Sequence, residues 1–482
     1  MNRRRVFYTL GLIIDFEAAL MVLPAIVSLI YGEIRTMAMF LLSSMIAAAV
    51  GSLLILLFRK RRADIYAKEG FVIVSLAWLA MTLFGALPFI LTGELGAIDA
   101  IFEIASGFTT TGASVIVALD KISKGLLFWR SATHWIGGMG VLVLMMAILP
   151  ADTEGSVHIL RAEVPGPTFG KLVPKIRKTA LILYLIYIGI TLVEIIMLLC
   201  GGLNLFESMI YAFGTAGTGG FGLRGNSLTD YTAYVQWVVG VFMVLFGVNF
   251  NLYYLMLMGK IKTALKSREL WLYLGIIGTS VAIISIHMRD LYQTVGDNVR
   301  TSFFQVASIV TTTGYSTADF ETWTGISRAL LFMLFFVGGC AGSTAGGIKI
   351  ARLILLGKTI KRDLRHMVHP HSVGVVKFEG RRVDDQTLRG VTSFFVLYCV
   401  VLGSTFLLLS IFEPKVDTIT NMTASMATLN NVGPGMGMVG PYLGYSFYSA
   451  ASKIVLTLSM LLGRLEIYPL VLILSPGTWK RR

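Results

Sequence analysis

Cysteine is scarce in this chain, with three in 482 residues: Cys200, Cys340 and Cys399, far apart and within or at the edge of apolar runs. They supply neither a disulfide framework nor a metal-ligand spacing. Charge is thin as well, at 14% of residues. No Ser/His/Asp set, no paired intramembrane aspartates and no metal-hydrolase motif can be found, so an enzyme reading has nothing to rest on and no cofactor is expected. His366, His369 and His371 lie in a basic linker without a metal-site framework and read as solvated, while His134, beside Trp135, reads as packing or capping. Gly217-x-Gly219-x-x-Gly222 matches the dinucleotide fingerprint but lacks the strand before it and the helix after it that phosphate binding needs.

What the chain has instead is apolar surface. Hydrophobic residues make up 55% of it, and the mean hydropathy is +0.75. One soluble core stops growing long before it could hide so much. The apolar residues come in runs of about 20, enough to cross a hydrocarbon core of about 30 Å as helices. Ten spans are expected, near 6–31, 36–58, 71–92, 126–149, 179–201, 234–258, 270–287, 326–348, 390–412 and 446–474. The net charge of +14 is concentrated at Arg3–Arg5, Arg59–Arg62, Lys171–Lys178, Lys260–Arg268, Arg352–Arg365 and Lys480–Arg482. These clusters fall on one side of the membrane if all ten spans are crossed in order. The loops holding Asp99, Asp230, Asp297, Asp319 and Asp417 are poor in Lys and Arg. This is the positive-inside pattern with both termini cytoplasmic, and it argues against nucleic acid as the partner of the basic loops. The start, Met1–Arg5 followed by an apolar stretch, resembles a signal peptide, but Asp15 and Glu17 interrupt it and no prompt cleavage site follows. It reads as an uncleaved first helix carrying two acids that lie outside the repeats described next.

Four further apolar segments, near 99–110, 204–217, 297–312 and 417–430, are too short to span and too apolar for free loops. Each is expected to begin at an N-cap, Asp99, Asn204, Asp297 or Asp417. Each meets a glycine motif: Thr109–Ser114, Ala216–Phe221, Thr311–Ser316 and Leu429–Gly435. From cap to central glycine (Gly112, Gly219, Gly314, Gly433) the distances are 13, 15, 17 and 16 residues, and successive glycines are 107, 95 and 119 apart. A unit of full helix, half-helix, glycine strand and full helix therefore recurs four times. The expected fold is an all-α integral membrane protein with four such repeats around a pseudo-fourfold pore, preceded by two extra transmembrane helices. The extra helix pair covers 1–66, and the repeats cover 67–170, 171–268, 269–382 and 383–482.

Irregular backbone at membrane depth is tolerated where it lines a cavity. Four glycine strands can turn carbonyls toward one axis and replace the hydration shell of a monovalent cation. The expected filter residues are Thr110, Thr111 and Gly112; Thr218, Gly219 and Gly220; Thr312, Thr313 and Gly314; and Asn431, Val432 and Gly433. The half-helices would aim the negative ends of their dipoles at the site, which suits a cation and not an anion. Gly338–Lys349 places five glycines in the second helix of the third repeat, so that span is expected to be broken into a flexible gating loop including Gly346, Gly347 and Lys349, with close helix packing through small residues as the alternative. Arg464, deep in the last span, is expected in the pore below the filter as a barrier to cation flow, with a pair to Glu466 or snorkelling near the interface as the alternative. Coupled symport with protons or sodium competes with channel-like flow, although symporters typically place broken helices at inverted repeats and these repeats share one orientation.

The four glycine loops, Arg130–Gly140, Arg161–Pro167, Gly338–Lys349 and Gly463–Glu466 together resemble the Trk/Ktr/HKT superfamily, most nearly its TrkH-type potassium uptake subunits, over nearly the whole chain. The resemblance implies potassium bound at the filter residues and the Gly338–Lys349 loop and Arg464 as gating elements. It also implies a homodimer with one pore per protomer, a separate cytoplasmic nucleotide-binding regulatory subunit of the TrkA or KtrA type, and a prokaryotic inner membrane. Relatives that favour sodium tend to carry serine at the first filter position, whereas here it is Gly112. Two departures stand out: His134 where Gln is usual, and Gly217 where the second filter strand usually opens with Ser or Thr.

Overall fold

The computed structural model describes residues 2–58, 67–140, 176–372 and 374–479. Among them six helices are long and apolar enough to cross a membrane, or seven if one bent pair is counted. The chain is a multi-pass membrane protein. The basic residues 59–62, 171–175 and 480–482, the end of the expected 126–149 span and the motif 161–167 lie outside the described residues.

The amino-terminal pair is α1 (Arg3–Leu20) with its continuation α2 (Val22–Ile30), and α3 (Ile34–Phe58). It flanks the first repeat: α1 packs on α3 and on α4 (Ala67–Gly85), which continues as α5 (Leu87–Thr92). Gly11 and Gly51 face each other across the α1–α3 contact, where a Cβ on either would stand 2.7–2.8 Å from the other's carbonyl oxygen. Small residues are what allow helices to approach so closely in lipid.

The first repeat continues with the short helix α6 (Ala97–Phe108) and with α7 (Lys124–Gly138). The second holds α8 (Ile176–Cys200), the short helix α9 (Leu205–Gly217), and α10 (Ala233–Phe246) followed by α11 (Phe250–Leu257). The third holds α12 (Arg268–His287), the short helix α13 (Val295–Val310), α14 (Gly325–Leu334) and, after a glycine-rich loop, α15 (Ile350–Val368). The fourth holds α16 (Asp385–Phe412), the short helix α17 (Thr418–Asn430), α18 (Ala450–Arg464) and α19 (Tyr468–Leu474). Three of the short helices are wedged beside the second helix of a neighbouring repeat: α9 on α7, α13 on α10, and α6 on α18, which joins the first repeat to the fourth. The fold is all-α, with four repeats about a pseudo-fourfold axis behind an extra helix pair.

The first helices of the second, third and fourth repeats are long and continuous as expected, and that of the first is interrupted only at Ala86, but the second helices depart from the expected spans. The span over 234–258 is two helices bent by 88°. Asn249 caps the second of them, its side chain accepting from the Asn251 amide at 2.9 Å. The span over 326–348 is helical only to Leu334, and that over 446–474 breaks after Arg464, where Glu466 and Ile467 have φ of 55° and 66°. Two of the expected caps also move. Asn204 and Asp417 cap their helices, but α6 starts from Gly96 and α13 from Thr294. Asp99 and Asp297 instead sit in the first turn, where a carboxylate still meets the positive end of the helix dipole.

Candidate ion pathway

The four short helices converge, and each releases the chain by the same backbone device. Just beyond their ends stand four non-glycine residues in the left-handed region: Thr110, Thr218, Thr312 and Asn431, with φ of 56°, 56°, 59° and 56°. Two residues further on come four glycines with positive φ: Gly112 at 81°, Gly220 at 79°, Gly314 at 83° and Gly433 at 91°. Alternating handedness turns successive carbonyls to one side, as a carbonyl-lined filter requires. It also corrects the register of the second strand. The counterpart of Gly112, Gly314 and Gly433 is Gly220, and Gly219 occupies the place of Thr111, Thr313 and Val432.

The strands touch in a closed order. A Cβ on Gly112 would overlap the carbonyl oxygen of Gly219, one on Gly220 that of Thr313, and one on Gly314 that of Val432. A Cβ on Gly433 would stand 2.6 Å from the carbonyl oxygen of Thr111, which returns the circuit to the first strand. Glycine is needed at these four places both for the left-handed φ and for the approach to the neighbouring carbonyl. The same four glycines line one cavity of about 360 Å³, the vestibule. At the other end of the strands, Thr110 Oγ1 and Asn431 Oδ1 are buried without a hydrogen-bond partner. All twelve expected filter residues lie on these four strands.

Side chains behind the strands hold them in place. Thr109 Oγ1 donates to the Ala105 carbonyl at 2.6 Å and meets Thr111 Oγ1 at 2.8 Å. Thr311 and Thr313 repeat this ladder, at 2.7 Å to the Ala307 carbonyl and 2.7 Å between hydroxyls. Asn431 Nδ2 donates to Thr111 Oγ1 at 2.9 Å, tying the fourth strand to the first. Tyr445 OH donates to the Gly433 carbonyl at 2.7 Å. Sequence reasoning passed over a further support, the buried ion pair of Glu103 and Arg130 at 2.5 Å. Glu103 also accepts from the Val115 amide at 2.9 Å and from Ser114 Oγ at 3.0 Å, holding the outer end of the first strand. In the third repeat Gln305 donates to Ser316 Oγ at 2.6 Å. Glu103 and Gln305 each precede their filter glycine by nine residues, a recurrence that could have disclosed them.

The Phe335–Lys349 loop lies against the opposite end of the four strands. Its Gly346 amide donates to Thr312 Oγ1 at 2.7 Å, and its Gly347 amide donates to the Asn430 carbonyl at 3.0 Å. Contacts with the second repeat anchor it: the Cys340 amide reaches the Gly247 carbonyl at 2.9 Å, and the Phe250 amide reaches the Gly342 carbonyl at 3.0 Å. The bend between α10 and α11 is therefore the seat of the loop. Lys349, with φ of 67° and 2% exposed, turns its ammonium onto the Ala345 carbonyl.

Arg464 spans this layer. Its guanidinium donates to the Thr344 carbonyl of the loop at 3.0 Å and to the carbonyls of Gly137 and Gly138 at 2.5 and 2.7 Å. It thereby links the ends of the fourth and first repeats to the loop of the third. Glu466 is engaged by Arg352, through two bonds of 3.0 and 2.5 Å, so the alternative Arg464–Glu466 pairing gives way to Arg352–Glu466. Away from the pathway, Asp15 accepts from Ser52 at 3.2 Å. Glu17 is buried, with both carboxyl oxygens unpartnered. His366, His369 and His371 are exposed, and no cluster of metal-ligating side chains occurs among the described residues.

The comparisons with known proteins agree with this architecture. The TrkH family model, described as a cation transport protein, matches residues 37–479. The chain is 34% identical to the Trk system potassium uptake protein TrkH of Escherichia coli and 35% identical to that of Halomonas elongata, over the full length of both chains in each case. The crystal structure of the potassium transporter TrkH from Vibrio parahaemolyticus superposes with a TM-score of 0.90 at 31% identity, again over both chains in full. Such proteins are transporters and not enzymes, and nothing in the likeness implies a cofactor. The closed circle of four repeats, the family match and the shared fold lead to one conclusion: the chain belongs to the TrkH family of cation transport proteins.

Proposed function

We propose that this protein is a potassium-selective, gated, channel-like uptake protein that moves K+ down its electrochemical gradient through the four-strand filter. The observation that carries this reading is the closed circuit of left-handed glycines, each fitted against the carbonyl of the next strand. Rings of carbonyl oxygens replace the hydration shell of a monovalent cation. The unpartnered Thr110 hydroxyl adds a ligand at the far end. The names of the relatives, potassium uptake proteins of Trk systems, support the choice of ion.

The gate in this proposal is the loop bearing Gly346, Gly347 and Lys349, latched by Arg464. The guanidinium is both a positive barrier to cations and the tie that holds the loop beneath the filter. The functional unit is a homodimer in a prokaryotic inner membrane, both termini cytoplasmic, with a cytoplasmic nucleotide-binding subunit acting on the gate. The repeats are read as 67–170, 171–268, 269–382 and 383–482 behind the pair at 1–66.

Rubidium tracer uptake into proteoliposomes tests the proposal. Uptake blocked by potassium, spared by sodium and set by membrane potential alone is the expected result; equal competition by sodium would refute the selectivity. The second reading, K+/H+ or K+/Na+ symport, has one observation in its favour. The unpartnered carboxyl of Glu17 is buried against the end of the first pore helix, beside Gly85, Ile104 and Phe108, and an ionisable group at membrane depth is a candidate proton site. Uptake that needs a proton gradient, and loses that need in Glu17→Gln, would establish it.

A further inference from the structure

The second filter strand differs from its neighbours in what supports it. In the first and third strands the residues flanking the left-handed position are Thr109 and Thr111, and Thr311 and Thr313, whose hydroxyls bond to each other and to the preceding helix turn. The corresponding residues of the second strand are Gly217 and Gly219, which have no side chain to form such a ladder. The space is filled from outside the repeat. A Cβ on Gly219 would run into the imidazole of His134, and one on Gly217 into the His134 backbone, with the His134 Cβ 3.1 Å away. His134 and Gly217 are thus in contact.

His134 projects from α7, is fully buried, and uses both ring nitrogens. Nδ1 lies 2.8 Å from the Gly107 carbonyl in the last turn of the first pore helix. Nε2 accepts from the Phe221 amide of the second strand at 3.3 Å. Only the neutral tautomer with its proton on Nδ1 can donate to the one and accept from the other. The ring also lies against Phe221, with centroids 4.1 Å apart at 32°, and the Arg130 guanidinium covers Phe221 at 3.5 Å.

We propose that His134 is a positioning residue for ion selectivity. Its imidazole replaces the missing threonine ladder of the second strand and, by bridging Gly107 and Phe221, sets how far the Gly219 and Gly220 carbonyls stand from the pore axis. This rests on the filter reading proposed above. A filter discriminates through the number and field of its carbonyl ligands, so a strand free to recede loses discrimination before it loses conduction.

The test compares variants by rubidium uptake into proteoliposomes, read as the ratio of competition by potassium to competition by sodium. His134→Gln, whose amide can both donate to Gly107 and accept from Phe221, is expected to keep most of the wild-type ratio. His134→Phe fills the space without those bonds and is expected to lower the ratio about tenfold, which corresponds to about 1.4 kcal/mol, while rubidium still enters. An unchanged ratio in His134→Phe would reduce the ring to a space filler and overturn the proposal, as would equal losses in both variants. If His134→Phe does not assemble, His134→Ala is compared with His134→Ala plus Gly219→Thr, whose side chain enters the space the imidazole leaves at the position of Thr111 and Thr313. Recovery of the ratio in the double variant supports the proposal, and no recovery overturns it. A wild-type protein without potassium preference would instead bring down the filter reading, a result the variants cannot mimic.

Discussion

On the vestibule side of the filter the four repeats are near copies, and on the opposite side they are not. Above, each repeat presents a positive-φ glycine packed on the next strand's carbonyl. Below, among the described residues, only the third repeat sends its loop under the strands, only the second bends by 88° to seat that loop, and only the fourth supplies Arg464 to bond it. A ring that must surround an ion evenly needs equal contributions from every repeat. A part that must move needs one element that differs from the rest, because four equivalent loops would have to move together. In the function proposed above, symmetry therefore marks the conducting layer and asymmetry the switching layer.

The sharpest way to break the comparison is to damage the symmetric layer at one point. Gly314→Ala should reduce rubidium uptake to background, because the methyl group meets the Val432 carbonyl and the left-handed backbone adds about 1–2 kcal/mol of strain. Gly220→Ala should do the same against Thr313. Uptake retained in Gly220→Ala would overthrow the register assigned to the second strand. In the asymmetric layer the sign reverses. Gly346→Ala would drive a methyl into the Asn430 carbonyl and lift the loop away from the filter, so unregulated uptake should rise severalfold. Arg464→Ala removes both the positive charge and the bonds to Gly137, Gly138 and Thr344, and single-channel conductance should increase. Arg464→Lys, which keeps the charge but loses the planar fork, should fall between the two. The smallest effect belongs to Glu466→Gln. It breaks the Arg352 pair at the edge of the layer and should cost about 2 kcal/mol of stability, read as a lower unfolding temperature, with the filter's ion preference intact.

The repeat was legible in the chain because its parts depend on local chemistry. Asn204 and Asp417 announced their helices as caps, with side chains that accept from the third residue of the helix. Asp99 and Asp297 misled because an acid is favourable at the cap and throughout the first turn, and spacing alone cannot tell the two apart. The second filter glycine was misassigned for a related reason: Gly219 and Gly220 are adjacent, and only the backbone angles separate them. The bend at Asn249 and the break after Arg464 escaped because hydropathy records apolar content and is blind to the continuity of a helix. Glu103 and Arg130 were passed over because each alone looks like an ordinary charge near a membrane surface, and their meaning comes from a 2.5 Å contact behind the first strand.

By itself the sequence determined that this chain crosses a membrane many times, that a helix–half-helix–glycine unit recurs four times, and which residues form the four strands. Those properties follow from apolar run length, capping chemistry and the freedom of glycine, all of which act over a few residues. Tertiary structure alone decided that the strands close into a ring, that Gly220 is the second ring glycine, that the third repeat's loop reaches Thr312, that Arg464 bridges Gly137, Gly138 and Thr344, and that His134 stands in for a missing threonine ladder. Each of these joins residues from different repeats, brought together by packing that no local pattern encodes.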